Sequence, residues 1–139
     1  MKKVIVYSDG ASRGNPGRAA SAFLIKNQEG KIVKAGARLI GTATNNVAEY
    51  TALIDGLMQA AKLTSGEAAC YSDSKLMVNQ LRGGYRTKNP QLKRLFQKVR
   101  NLEDLFSKVT YVHVPRSSPD IKKVDRMVNE VLDRAREKR

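Results

Sequence analysis

Three strand-like runs precede any helical periodicity in this chain, an order that leaves few ways to build a sheet. Residues 3 to 8 form a β-branched apolar run that stops at Asp9-Gly10, and the glycine-rich stretch to Gly17 allows a tight reversal. Residues 19 to 26 and 31 to 40 read as two further strands, joined around Gln28-Glu29-Gly30 closely enough for a hairpin. Val47, Tyr50, Ile54, Leu57, Met58 and Ala61 then recur at helical spacing behind Thr44-Asn45-Asn46, whose side chains can cap. Residues 67 to 72 predict a fourth strand leading into Asp73-Ser74, where a shorter helix through about Leu81 begins; Gly83-Gly84 ends it. After Pro90, the residues Leu92, Leu95, Phe96, Val99, Leu102 and Phe106 mark another amphipathic helix. A fifth strand from Val109 to Val114 follows, and then a last helix showing Val124, Met127, Val128, Val131, Leu132 and Ala135. The order βββαβααβα puts an antiparallel meander before two strands reached by helical crossovers. It predicts a single α/β domain over residues 1–139, with a five-stranded mixed sheet and helices on its faces.

Charge narrows the partner. The chain carries 26 Lys plus Arg against 13 Asp plus Glu, a formal net charge of +13. Such an excess favours a polyanion, because each cation set against a phosphate releases condensed counterions. Nucleic acid leads and an anionic membrane surface comes second. The membrane reading needs a basic amphipathic helix with an exposed apolar face, whereas the apolar stripes here are required to cover the sheet. Runs such as Val4 to Tyr7 are far shorter than the roughly 20 residues that span a bilayer, and Met1-Lys2-Lys3 lacks the apolar region of a signal peptide. A soluble, cytoplasmic protein is therefore expected, and a monomer is expected beside it. The lone Cys70 falls inside a predicted strand and reads as a small buried hydrophobe. The basic tail from Arg134 to Arg139 reads as a solvated helix end.

Four acidic residues stand out against this basic background. Asp9 ends the first predicted strand and Asp73 the fourth, so if those strands are neighbours the two carboxylates come within reach of one ion. Glu49 falls in the first turns of its helix, and Asp125 lies beside the apolar stripe begun by Val124, so both can face the strand ends. Four carboxylates in one pocket suit two Mg²⁺ ions, roughly 3.5 to 4 Å apart, acting on a phosphodiester. Each residue also has an ordinary reading: Asp9 before Gly10 as a turn, Asp73 as a helix cap, Glu49 and Asp125 as solvated helix residues.

The flanking strings decide between these. YSDGASRGNPG, residues 7 to 17, resembles the first motif of type 1 ribonuclease H, and TNNVAEYTAL, residues 44 to 53, resembles the second. YSDSKLMVNQL, residues 71 to 81, is similar to the third, and VDRMVNEVLDRA, residues 124 to 135, to the last, with its Asp then Asn spacing. The resemblance covers nearly the whole chain in order. It implies an RNase H-like fold and cleavage of the RNA strand of RNA/DNA hybrids, leaving 5′-phosphate and 3′-hydroxyl ends, with two Mg²⁺ or Mn²⁺ ions. It further implies that Asp9, Glu49, Asp73 and Asp125 are the metal-binding catalytic carboxylates. Asn15, Asn45 and Asn46 match positions that contact the minor groove, Gly10, Ala11 and Ser12 positions close to RNA, and Thr44 a position that holds a DNA-strand phosphate. Telling RNA from DNA needs polar contacts to the 2′-hydroxyl, which the wide minor groove exposes, and Asn both donates and accepts there. Capping and turn formation are the other roles open to Asn15 and Asn45.

Three departures bear on the transfer. The basic helical handle of many bacterial members is missing, because Leu81 leads through Gly83-Gly84-Tyr85 straight to Pro90. The chain thus resembles the handle-less prokaryotic or archaeal form. Arg82, Arg86, Lys88, Lys93 and Arg94 become the candidates for a backbone track, with Arg86 and Lys88 foremost. Second, the loop VPRSSPDIKKVD has no His where handle-bearing members carry a mobile one; His113 lies within a strand and reads as packed. Arg116 resembles the Arg of handle-less members that contacts the scissile phosphate or assists product release, though two extra residues separate it from Asp125. Third, no hybrid-binding domain precedes the first strand. The rival readings are a nuclease of the same fold that also cuts double-stranded RNA, and a hybrid-binding module without catalysis.

Overall fold

The computed structural model describes residues 1–84 and 86–137; Tyr85 and the end of the basic tail, Lys138 and Arg139, lie outside the described residues. The elements are β1 (Lys3–Gly14), β2 (Gly17–Asn27), β3 (Ile32–Ala43), α1 (Asn45–Leu63), β4 (Glu67–Ser72), α2 (Lys75–Leu81), α3 (Pro90–Glu103), β5 (Lys108–His113) and α4 (Pro119–Glu137). The five strands form one sheet in the order β3-β2-β1-β4-β5. β1 pairs antiparallel with β2 and parallel with β4, while β4 pairs parallel with β5. The mixed sheet read from the sequence is the one present.

Both faces are covered. Val4, Val6, Phe23 and Ile25 pack under α1, α2 and α3 through Leu53, Leu57, Met77, Val78 and Val99. Ala20, Ala22 and Leu24 pack under α4 through Ile121, Val124, Val128 and Leu132. A strand covered on both faces needs apolar residues at every position, which is why β2 reads AASAFLI without alternation and is buried from Ala19 to Ile25.

Most strand ends shift by one to three residues from the sequence reading, and two boundaries differ for a reason that bears on the site or the core. β1 does not stop at Asp9. It pairs with β4 only from Lys3 to Tyr7, but with β2 as far as Gly14 opposite Gly17, so Asp9 lies inside a strand that outruns its parallel neighbour. Gly10 answers a packing need rather than a turn: a Cβ there would lie 2.2 Å from the carbonyl carbon and oxygen of Ala48, where the first turn of α1 crosses the strand. The other boundary is the end of α3 at Glu103, short of Phe106. The N–H groups of Asp104, Leu105 and Phe106 donate three residues back, to Asn101, Leu102 and Glu103, and this tightening tucks Phe106 into the core.

Candidate metal centre

Where β4 stops and β1 continues, four elements deliver acidic side chains to one cleft of about 490 Å³. Asp9 comes from β1, Glu49 from α1, Asp73 from the residue after β4, and Asp125 from α4. Carboxylate oxygens of Asp9, Glu49 and Asp73 lie within 4.8 Å of one another. Asp125 stands outside that triad but lines the same cleft, near enough to Asp9 to raise its carboxyl. Local structure frees Asp73 and holds Glu49. Ser74, not Asp73, caps α2, its Oγ accepting from the Met77 N–H at 3.3 Å. Glu49 Oε1 accepts from the Gly10 N–H at 2.8 Å, a bond that the bare glycine backbone makes possible.

Burial and mutual repulsion set the electrostatics. Burial first, then Asp73 and Asp125, push the Asp9 carboxyl up to about 8, against the pull of Arg116. Glu49 is held well above the usual carboxylate range by burial and by Asp9 and Asp73, although Gly10 and Arg116 oppose this. Asp73 is raised by burial despite Arg116. Three crowded, partly desolvated carboxylates, all oxygen donors, could hold a hard divalent cation.

Gly10, Ala11, Asn45, His113, Pro115 and Arg116 complete the wall. Arg116 therefore reaches the cleft despite the two extra residues before Asp125. His113 corrects the expectation of a packed residue: it shares its face of β5 with buried Tyr111 but ends the strand, exposed, beside Asp73. Asn15 and Asn45 knit the tip of the β1–β2 hairpin to α1, with Asn45 Oδ1 accepting from the Ser12 N–H at 2.8 Å and Asn15 Oδ1 from the Asn45 N–H at 3.1 Å. Each uses its carbonyl oxygen internally and retains the NH₂ donor. Thr44 caps α1, accepting from the Val47 N–H at 3.2 Å, which leaves its hydroxyl proton to donate elsewhere. Asn46 follows in the first turn, half-buried. Arg86 and Lys88 are not brought to the acidic cleft. They are exposed between α2 and α3 and line a second cleft of about 700 Å³ with Thr87, Lys93 and Phe96. Arg82 borders a third, and Arg94 is exposed on α3. Asn129, visible in the sequence only as part of a motif's spacing, proves to donate to Asp125. Its position one helical turn beyond an acidic residue was the available signal.

Comparison with known proteins places this architecture. Residues 7–130 match the family described as reverse transcriptase-like. The bifunctional protein Rv2228c of Mycobacterium tuberculosis is 41% identical over 134 residues, covering 96% of this chain and 36% of its own length. A structure of its N-terminal RNase H domain, fused to maltose binding protein, superposes with a TM-score of 0.89 at 39% identity, covering 94% of this chain and 99% of that one. Ribonuclease HI of Halobacterium salinarum is 41% identical over 133 residues, covering 96% of this chain and 66% of its own. The crystal structure of RNase H1 from the same organism gives a TM-score of 0.90 at 41% identity, covering 94% and 98%. LC11-RNase H1, isolated from compost, has been crystallised in complex with an RNA/DNA hybrid; that structure gives 0.87 at 37% identity, covering 95% and 98%. A mixed five-stranded sheet with an acidic cleft past its central strand ends is the RNase H-like architecture. The chain belongs to the type 1 ribonuclease H family. It spans about a third of the mycobacterial relative's length and about two thirds of the halobacterial one's.

Proposed function

We propose that this chain, acting as one catalytic domain, is a divalent-metal-dependent endonuclease that hydrolyses the RNA strand of RNA/DNA hybrids, leaving 5′-phosphate and 3′-hydroxyl ends. The observation that carries the reading is the convergence of Asp9, Glu49 and Asp73 within 4.8 Å, with Asp125 and Arg116 on the same cleft. The hybrid bound by LC11-RNase H1 supports the choice of substrate. Asp9, Glu49, Asp73 and Asp125 would hold Mg²⁺ or Mn²⁺, with room in this reading for two ions. When bound, the metal supplies Lewis-acid activation of water and stabilisation of the leaving oxygen. The chain's own groups do the rest. Arg116, whose charge already lowers the pKa values of Asp9, Glu49 and Asp73, meets the scissile phosphate. Gly10 N–H keeps Glu49 from turning out of the cleft. The amide donors of Asn15, Asn45 and Asn46, with the backbone of Gly10, Ala11 and Ser12, read the minor groove and its 2′-hydroxyls. The Thr44 hydroxyl donates to a DNA-strand phosphate, and Arg86 and Lys88 follow the backbone from their own cleft. In-line attack by water at phosphorus then breaks the P–O3′ bond. Among the described residues no helix is long and apolar enough to cross a membrane. A monomeric, cytoplasmic protein is part of the proposal.

The test is incubation with Mg²⁺ and an end-labelled RNA/DNA hybrid beside DNA duplex, RNA duplex and single strands, with Asp9→Asn as the contamination control. Cleavage confined to hybrid RNA and lost in the variant is the expected result. Cutting of duplex RNA as well would broaden the substrate class, and binding without cutting in Mg²⁺ or Mn²⁺ would leave a hybrid-binding module.

A further inference from the structure

Asp125 stands outside the tight triad, so its aim depends on what holds it from α4. One helical turn further along, Asn129 Nδ2 donates to the Asp125 backbone carbonyl at 3.1 Å and to Asp125 Oδ2 at 3.4 Å. Its Oδ1 accepts from Arg13 Nη2 at 3.4 Å, and the same Nη2 pairs with Asp133 Oδ1 at 2.7 Å. Residues 125, 129 and 133 thus form one stripe of α4 at four-residue spacing. Arg13 comes from the far end of β1, the strand that carries Asp9.

The chemistry fixes which way the amide turns. A guanidinium only donates and a carboxylate only accepts, so Asn129 must offer its oxygen to Arg13 and its NH₂ to Asp125. Beyond Tyr7 the strand β1 has lost β4 as a partner, and its tip is tied to α1 on one side by Asn45 and to α4 on the other by Arg13. The Arg13–Asp133 pair is exposed at 39% and 61% of its side chains, a setting in which ion pairs contribute little to stability. Its consequence is orientational.

We propose that Asn129, itself set by Arg13, is a positioning residue that aligns the Asp125 carboxylate with Asp9 in the metal centre. The proposal rests on the metal-centred reading above and assigns the groups outside the cleft that aim its fourth carboxylate. Partners of this kind change metal affinity or activity by roughly 10- to 100-fold when removed.

The experiment pairs hybrid-cleavage kinetics with calorimetric titration of the nucleic-acid-free protein by Mn²⁺, for wild type, Asn129→Leu, Arg13→Ala, the double variant, and Glu130→Gln as a neighbouring surface control. Asn129→Leu is expected to lower kcat about tenfold or more with KM within about twofold, and to weaken Mn²⁺ binding several-fold. Arg13→Ala should lose less, and add nothing in the Asn129→Leu background, because it acts through the amide. Wild-type kcat and Mn²⁺ affinity in Asn129→Leu would overturn the proposal, whatever happens to its melting temperature. A loss confined to KM, or additive losses in the double variant, would remove Arg13 from the bracket and place it on the substrate. Should Asn129→Leu fail to fold, Asn129→Ser carries the same comparison. If the wild type binds Mn²⁺ but cuts no hybrid, the nuclease reading falls while the Mn²⁺ difference still decides the positioning role; if it binds no Mn²⁺, both fall.

Discussion

Under the proposed function, Asp9 concentrates the chemistry of this chain at a single residue. Its carboxyl titrates near 8 in the folded protein against about 3.8 in an ordinary setting, chiefly through burial. Between those values the folded state binds more protons than the unfolded state, so stability falls as pH rises through the window. Without metal, the melting temperature should therefore drop between pH 5 and pH 8, whereas Asp9→Asn should flatten that slope and melt roughly 3–8 °C above wild type at pH 8. The same variant should lose hybrid cleavage altogether. Scanning calorimetry in EDTA at both pH values tests the first claim; parallel slopes for the two proteins would sink it. Thr44 carries a second residue-scale prediction. Thr44→Ala removes the cap and should cost about 1 kcal/mol, with Thr44→Ser retaining most of it, as urea titration would register. If the hydroxyl also meets a phosphate, Ala but not Ser should raise KM for the hybrid.

At the scale of elements, what the sequence displayed and what it hid follow from the range of the forces involved. The strands, their order and the helix faces are written in local periodicity, and the four acidic positions sit where such periods end or begin, so their convergence could be inferred. Gly10 misled because a glycine after Asp signals a turn locally, while its use here, admitting the Ala48 carbonyl, is a contact 38 positions away in the chain. His113 misled because alternation gives the face of a strand but not where the cover of that face stops. Asn129 was hidden because four-residue spacing shows that two side chains are neighbours without showing that a hairpin tip completes the set. The Gly10 contact yields a test of its own. Gly10→Ala forces α1 away from β1 and should destabilise by about 2–4 kcal/mol, since the opposing atoms are backbone and cannot swing aside. The Glu49 carboxylate rides on that helix, so folded Gly10→Ala protein should also cut more slowly. Chemical denaturation combined with kinetics below the transition checks both, and full activity at wild-type stability would contradict the packing argument.

For the whole molecule, under the proposed function, a net charge of +13 and a pocket of four carboxylates belong to one design problem, because the hybrid must be drawn to a site that would itself repel it. The cations nearest the chemistry cannot solve this alone: Arg116 is committed to the acidic cleft. Long-range attraction must come from positions displaced from the carboxylates, and the cleft lined by Arg86, Lys88 and Lys93 offers three cations beside Phe96. Exposed charges act through counterion release, so their contribution appears in the salt dependence of binding more than in any single contact. Replacing Arg86 and Lys88 together with Ala should weaken hybrid binding at low salt and reduce the slope of log K against log salt by about 1 to 2, with little change in kcat at saturating hybrid. Binding isotherms of an inactive Asp9→Asn background, collected across a salt series, separate this effect from cleavage. An unchanged slope would mean that the two side chains are solvated ornaments of the α2–α3 segment, and that the hybrid's backbone runs over the other basic surfaces, on α3 or on α4 through Lys122, Lys123 and Arg126.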